Sequence, residues 1–251
     1  MASLAGQIAA QRISNPNLRI LLGHGSGSFG HTSAKEYRTR EGLPAHTQTP
    51  TSSYKIVEAQ YWKGFVEVWY QATTLNRYVI EALREVGISG MTFSPLASVW
   101  SDHGHVLEWD LSRIKAAMNN NILPVVHGDV IFDRLKGGTI LSTEELFEHL
   151  ARELHPKRIL LAGLEDGVFT DFPVRGSMIR DLTSKSFIQI RKGIGASQGA
   201  DVTGGMLSKV EQMLKLAEDI PGLSIQIFSG KKLGNLEKAL KGAHIGTIIS
   251  A

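Results

Sequence analysis

Three short stretches of this 251-residue chain combine residue types that handle anions. The first is His24-Gly-Ser-Gly-Ser-Phe-Gly-His31, directly after the apolar run Arg19-Ile-Leu-Leu22 and Gly23. Glycines at Gly25, Gly27 and Gly30 let backbone N–H groups approach a ligand closely. Ser26 and Ser28 add hydroxyl donors, and His31 can donate to an anionic oxygen or take up a proton. The second is Asp201-Val-Thr-Gly-Gly-Met206, at the entrance of a helical pattern that carries Lys209. Two glycines there make a phosphate nest on the positive end of the helix dipole, with Lys209 about one turn in. The third is Leu164-Glu-Asp-Gly-Val-Phe-Thr-Asp171 followed by Pro173, a loop of nucleotide-binding type. Three such loops at strand ends point to phosphoryl transfer from a nucleotide to an anionic acceptor.

Other readings of the first stretch are weaker. Gly25 to Gly30 spells G-x-G-x-x-G, but a dinucleotide fold needs a helix starting inside the motif. It also needs a second strand ending in an acid about 20 residues later. That region is Ala45-His-Thr-Gln-Thr-Pro50, which is not strand-like, and Glu41 comes too early. Walker A is absent: Gly230-Lys231 is followed by Lys232 where Ser or Thr is required. The plain alternative is a glycine-rich turn whose histidines are solvated or satisfied.

The elements that must hold these loops alternate. Helices are expected over 2–12, 112–119, 144–154, 206–219 and 236–241, the third capped by Thr143. The stretch Tyr54–Val86 reads as two helices or one kinked near Gly64, stopping at Gly87. Strands are expected over 19–22, 91–93, 122–126, 158–162, 186–190, 224–228 and 246–250, with a hairpin in 99–110 turning at Asp102-His-Gly104. The segment from the first strand to about Ser53 reads as loop. Strands separated by helices imply an α/β fold, with ligands at the carboxyl ends of strands. Trp62, Phe65 and Trp69 lie at helical spacing, as core residues or as the wall of an apolar pocket.

Composition narrows the class. The chain is 42% hydrophobic with net charge +3, and its basic pairs, Lys231-Lys232 among them, are scattered as in solvated turns. That argues against nucleic-acid binding, which shows a clustered basic face. There is no cysteine, so disulfides, thiolate metal sites and thiol nucleophiles are excluded. No apolar run approaches the roughly 20 residues that span a bilayer, and the N-terminus lacks signal-peptide character. The expected setting is cytoplasmic.

These motifs together resemble the amino acid kinase superfamily. The resemblance rests on HGSGSFGH, Pro124-Val-Val-His-Gly-Asp-Val130, Gly137-Gly-Thr-Ile-Leu-Ser142, Glu165-Asp-Gly-Val-Phe169, DVTGGM with Lys209, and Gly246-Thr-Ile. The Ser-Phe-Gly-His ending is similar to the isopentenyl phosphate kinases, which share it with fosfomycin kinases. The resemblance implies a three-layer αβα sandwich around a mainly parallel sheet, as one kinase-like domain over 1–251. Residues to about 155 would form the acceptor half and those from about 156 the nucleotide half. It implies phosphorylation of isopentenyl phosphate to isopentenyl diphosphate, with ATP and Mg²⁺ as cofactors. The partner is a small phosphate substrate, and the family's homodimers imply a dimer. His31 and Lys209 would be catalytic. Gly25, Ser26, Gly27, Gly30, Gly128 and Asp129 would join His31 at the substrate. Asp166, Gly167, Thr203, Gly204 and Gly205 would join Lys209 at the nucleotide.

Two departures stand out. Family members open with a strand and Lys-x-Gly-Gly-Ser, and no Lys-x-Gly-Gly precedes residue 25 here. Met1–Arg12 matches the helix that follows that loop, so an upstream segment is expected. Second, Ser142-Thr-Glu-Glu145 stands where the family carries aspartates, and Glu144 and Glu145 are either replacements or first-turn acids. The alternatives are a kinase for another small phosphate or phosphonate, and a nucleotide-binding module without catalysis.

Overall fold

The computed structural model describes residues 1–43, 52–172, 174–191, 194 and 205–251, with the side chains of residues 52–54 left undescribed. In chain order, the elements to the first hairpin are α1 (Ala2–Ser14), β1 (Leu22–His24), α2 (Gly27–Glu36), α3 (Ser52–Glu85), β2 (Gly90–Thr92), β3 (Val99–Asp102) and β4 (His105–Trp109). Next come α4 (Ser112–Asn119), β5 (Leu123–His127), β6 (Asp129–Asp133), β7 (Gly137–Leu141) and α5 (Thr143–Leu154). The rest are β8 (Arg158–Gly163), β9 (Val168–Phe169), β10 (Met178–Ile179), β11 (Asp181–Leu182), α6 (Ser184–Ile190), α7 (Gly205–Asp219), β12 (Ser224–Ser229), α8 (Asn235–Leu240) and β13 (Thr247–Ile249). This is the α/β alternation expected. Among the described residues no helix is long and apolar enough to cross a membrane.

The chain divides into two compact units, Arg19–His149 and Met1–Leu18 with Leu150–Ala251. In Arg19–His149, β5 lies between β1 and β2, parallel to both. Every β5 residue is buried, as expected of a central parallel strand. A second sheet has the order β4-β3-β6-β7, its β3–β4 hairpin turning at His103 and Gly104 with positive φ at both. That matches a two-residue primed turn. In the other unit the order is β11-β13-β12-β8. Strands β8 and β12 pair in parallel, as do β11 and β13, while β12 and β13 are antiparallel. Helix α1 packs against α8, where Gln7 accepts a hydrogen bond from the Glu237 N–H at 3.0 Å.

Three local expectations need correction, and one left open is decided. Strand β1 is Leu22–His24 rather than 19–22, because its register against β5 carries it on to His24, opposite His127. The segment after it is not all loop, since α2 occupies Gly27–Glu36. Residues 186–190 are not a strand. They belong to α6, which begins with a reciprocal cap between Thr183 and Ser186. Of the two alternatives for the stretch 54–86, the single helix holds: α3 runs for 34 residues from Ser52 to Glu85.

Helix α3 runs unbroken through Gly64, which is where it meets Tyr37 and where a Cβ would overlap that ring. Gly64→Ala gains about 1 kcal/mol of helix propensity and loses about 1–3 kcal/mol to overpacking against an aromatic ring. The expected result is a lower melting temperature, read by calorimetry. A stabilised variant would show that Tyr37 gives way freely.

Candidate functional site

The acceptor-type loop is built at the end of β1. The chain leaves the strand at His24, turns through Gly25 and Ser26, and enters α2 at Gly27, whose φ is +55°. The first N–H groups of α2 have no intrahelical partner and face the loop side. His31 follows Gly27 by four residues, so both lie on one helix face, and the side chain leans toward the helix N-terminus. The loop therefore gathers glycine N–H groups, the Ser26 hydroxyl and an imidazole at one anion-accepting helix start. Gly30 is buried, and a Cβ there would come within 2.7 Å of Ser26 Oγ. The third glycine thus makes room for Ser26. A helix does begin inside the glycine motif, contrary to one ground for setting aside a dinucleotide site. The other ground concerned residues 45–50, which lie outside the described residues; among those described the next strand is β2 at Gly90.

Beneath the loop is a buried polar cluster. The His24 and His127 rings stack with centroids 5.4 Å apart and planes within 8°. His127 Nε2 lies 3.4 Å from Asp129 Oδ2, and both side chains are almost wholly buried. Burial raises the Asp129 carboxyl above its ordinary range, with the His127 contact and the Val130 N–H pulling the other way. The Gly128 N–H reaches the His24 carbonyl at 3.1 Å and Thr143 Oγ1 at 3.0 Å, and that hydroxyl donates to the His24 carbonyl at 2.6 Å. Gly128 and Asp129 are thus brought close to the loop's root, with the Gly128 N–H already engaged. Thr143 does not cap α5. The cap is Ser142, whose N–H donates to Glu145 Oε2 at 2.6 Å and whose Oγ accepts from the Glu145 N–H at 3.2 Å. Arg40 clamps the same carboxylate through both nitrogens, at 2.8 and 3.2 Å. Glu145 is therefore a first-turn acid with a structural partner. Of the aromatic residues, Phe65 is buried core, Trp62 packs on Tyr61, Phe65 and Phe132, and Trp69 stays at the surface.

The nucleotide-type loop lies at the end of β8, in the other unit. Lys232 Nζ donates to Asp166 Oδ2 at 2.7 Å, and Arg175 grips Glu165 through two hydrogen bonds of 2.8 Å. Lys232 is a partner that the scattered basic pairs did not reveal. Gly167 is buried against Thr247, whose hydroxyl accepts the Val168 N–H at 2.8 Å. Gly246, with φ +68°, passes so close to the Ile227 and Asp166 carbonyls that no side chain fits. The closing Gly-Thr-Ile therefore holds the Asp166 loop in place. Gly205 opens α7 with φ +72°, and Lys209 sits half-buried in its second turn. Thr203 and Gly204 lie outside the described residues. Among the described residues no three His, Cys, Asp or Glu side chains cluster as metal ligands.

The model of the amino acid kinase family matches residues 1–229. The isopentenyl phosphate kinase of Methanothermobacter thermautotrophicus is 31% identical over 235 residues, covering 92% of this chain and 84% of that protein. The one from Methanocaldococcus jannaschii is 31% identical over 236 residues, covering 94% and 82%. Among solved structures, one described as isopentenyl phosphate kinase superposes with a TM-score of 0.80 at 26% identity, covering 98% of this chain and 90% of that one.

Proposed function

The chain belongs to the amino acid kinase family, and from that membership we propose that it transfers the γ-phosphoryl group of ATP to isopentenyl phosphate. The products are isopentenyl diphosphate and ADP. The observation that carries the reading is the acceptor loop, with His31 one helical turn from Gly27 at the α2 N-terminus. The Gly25, Ser26 and Gly27 N–H groups and His31 hold the acceptor phosphate. A phosphate monoester is already a nucleophile, so no strong base is needed. Catalysis is then positioning plus charge neutralisation.

Gly30 serves by seating Ser26. Gly128 and Asp129 support the loop root from below. Lys209 neutralises charge on the transferring group. Asp166, Gly167, Thr203, Gly204 and Gly205 line the nucleotide. Mg²⁺ would arrive bound to the ATP phosphates and would supply charge neutralisation there, which asks for no dedicated protein cage. Such an enzyme works in the cytoplasm, where ATP is available, and as a homodimer.

A substrate panel tests the proposal. The full-length protein, including any in-frame segment preceding Met1, is given labelled ATP with isopentenyl phosphate, fosfomycin or a short alkyl phosphate. The highest kcat/KM is expected for isopentenyl phosphate. A preference for fosfomycin would replace the substrate, and ATP binding without transfer to any acceptor would make the chain a nucleotide-binding module.

A further inference from the structure

His24 opens the glycine loop, and both its ring nitrogens are engaged. Nδ1 lies 3.0 Å from the Gly25 carbonyl oxygen and Nε2 3.1 Å from Asn76 Oδ1 on α3. The other end of the Asn76 amide meets Thr92 Oγ1 of β2 at 2.8 Å. A carbonyl oxygen only accepts, so Nδ1 carries the proton. If Asn76 presents its oxygen, Nε2 must also be protonated and the ring is a cation. Burial opposes that charge and holds His24 below the ordinary histidine range, against the hydrogen bonds to Gly25 and Asn76. The stacked His127 adds to the effect of burial.

Turning the Asn76 amide over removes the conflict. Its NH₂ then donates to Nε2, and its oxygen accepts from the Thr92 hydroxyl, which rotates to suit. Every group is satisfied with a neutral ring, and donation runs from Thr92 through Asn76 and His24 to the Gly25 carbonyl. The ionisable groups on this side are His127 of β5 and, against it, Asp129 of β6. Helices α3 and α5 bring the uncharged Asn76 and Thr143.

The consequence falls on one peptide plane. The C=O of Gly25 and the N–H of Ser26 belong to the same trans peptide and point in opposite directions. With glycine on one side, such a plane turns over at little cost. Fixing the Gly25 oxygen on His24 therefore fixes the direction of the Ser26 N–H at the entrance of α2.

We propose that His24 is a positioning residue for the acceptor phosphate: a neutral Nδ1–H imidazole, held by Asn76, that locks the Gly25–Ser26 peptide and so aims the Ser26 N–H. The ligand's identity rests on the kinase reading, whereas the protonation pattern does not.

The test has a variant-free arm. In the ¹⁵N spectrum of the ring-labelled wild-type protein at pH 7, His24 should show a protonated Nδ1 and a bare, hydrogen-bonded Nε2. An Nε2–H tautomer or an imidazolium would overturn the assignment. Asn76→Leu should raise the KM for isopentenyl phosphate about tenfold with the KM for ATP unchanged. An unchanged acceptor KM would overturn the positioning role. Asn76→Asp places a carboxylate on Nε2, so His24 should titrate at higher pH and produce an inflection in kcat/KM for the acceptor that wild type lacks. A profile identical to wild type would overturn it too. If the wild type phosphorylates nothing, the kinase reading fails, and the spectrum still decides the His24 assignment.

Discussion

Lys209→Met is expected to lower kcat by about 10²- to 10³-fold, or about 3–4 kcal/mol, the effect of removing one group aimed at charge developing in the transition state. The phosphoryl group in flight carries its charge on three equatorial oxygens, and catalysis of its transfer depends on cations and N–H donors placed around them. Lys209 stands in the second turn of α7, so its ammonium adds a full charge to a helix start that is already positive. Methionine keeps the length and much of the apolar stem of a half-buried lysine, so the fold should survive. The KM for isopentenyl phosphate should barely move, because the proposed role of Lys209 is on the donor side. Steady-state kinetics with both substrates varied, alongside a melting curve, separates these effects. A variant with unchanged kcat would remove Lys209 from the mechanism.

His31→Ala should cost a similar factor on the other substrate. Its imidazole shares a helix face with Gly27, where an N–H-rich helix start already favours an anion. Alanine is a good helix former, so α2 should persist and the loss should report a missing donor rather than a missing helix. The expected result is a fall of about 10²- to 10³-fold in kcat/KM for isopentenyl phosphate, with the KM for ATP unchanged. His31→Gln retains an N–H donor of comparable reach and should recover part of that loss. If glutamine and alanine are equally poor, donation alone is not what His31 supplies. Unchanged turnover in the alanine variant would exclude it altogether.

The parts of the fold written in local pattern were legible. The apolar run that becomes β5, the Asp102-His-Gly turn of the hairpin and the span of α4 each follow from residues close in sequence. Helix α2 was not legible, because it buries no apolar stripe. It packs through two small residues, Gly30 and Ala34, one helical turn apart. That i, i+4 pair of small residues was the available signal. The single α3 was obscured by Gly64, whose reason for being glycine is Tyr37, far away in the chain.

The site shows the same division. Its candidate anion-binding stretches were marked out by glycines beside histidine and lysine. Their supports were not, since these are long-range pairings: His24 with Asn76, Gly128 with Thr143, Arg40 with Glu145 and Lys232 with Asp166. Nothing in the spacing of Ser142-Thr-Glu-Glu145 tells that Thr143 serves the His24 carbonyl while Ser142 takes the cap. A hydroxyl at each of two successive positions fits either assignment until β1 and β5 fix where His24 lies.

The central claim is that a phosphate, rather than a hydroxyl or a carboxylate, receives the phosphoryl group. Phosphorus NMR tests it most directly, using the full-length protein with isopentenyl phosphate and ATP carrying ¹⁸O on its γ-phosphorus. The account predicts that the monophosphate singlet gives way to two coupled doublets of a diphosphate monoester. The isotope shift should fall on the terminal phosphorus, with ADP formed in equal amount. A persisting monophosphate singlet, with the label released as inorganic phosphate, would contradict it.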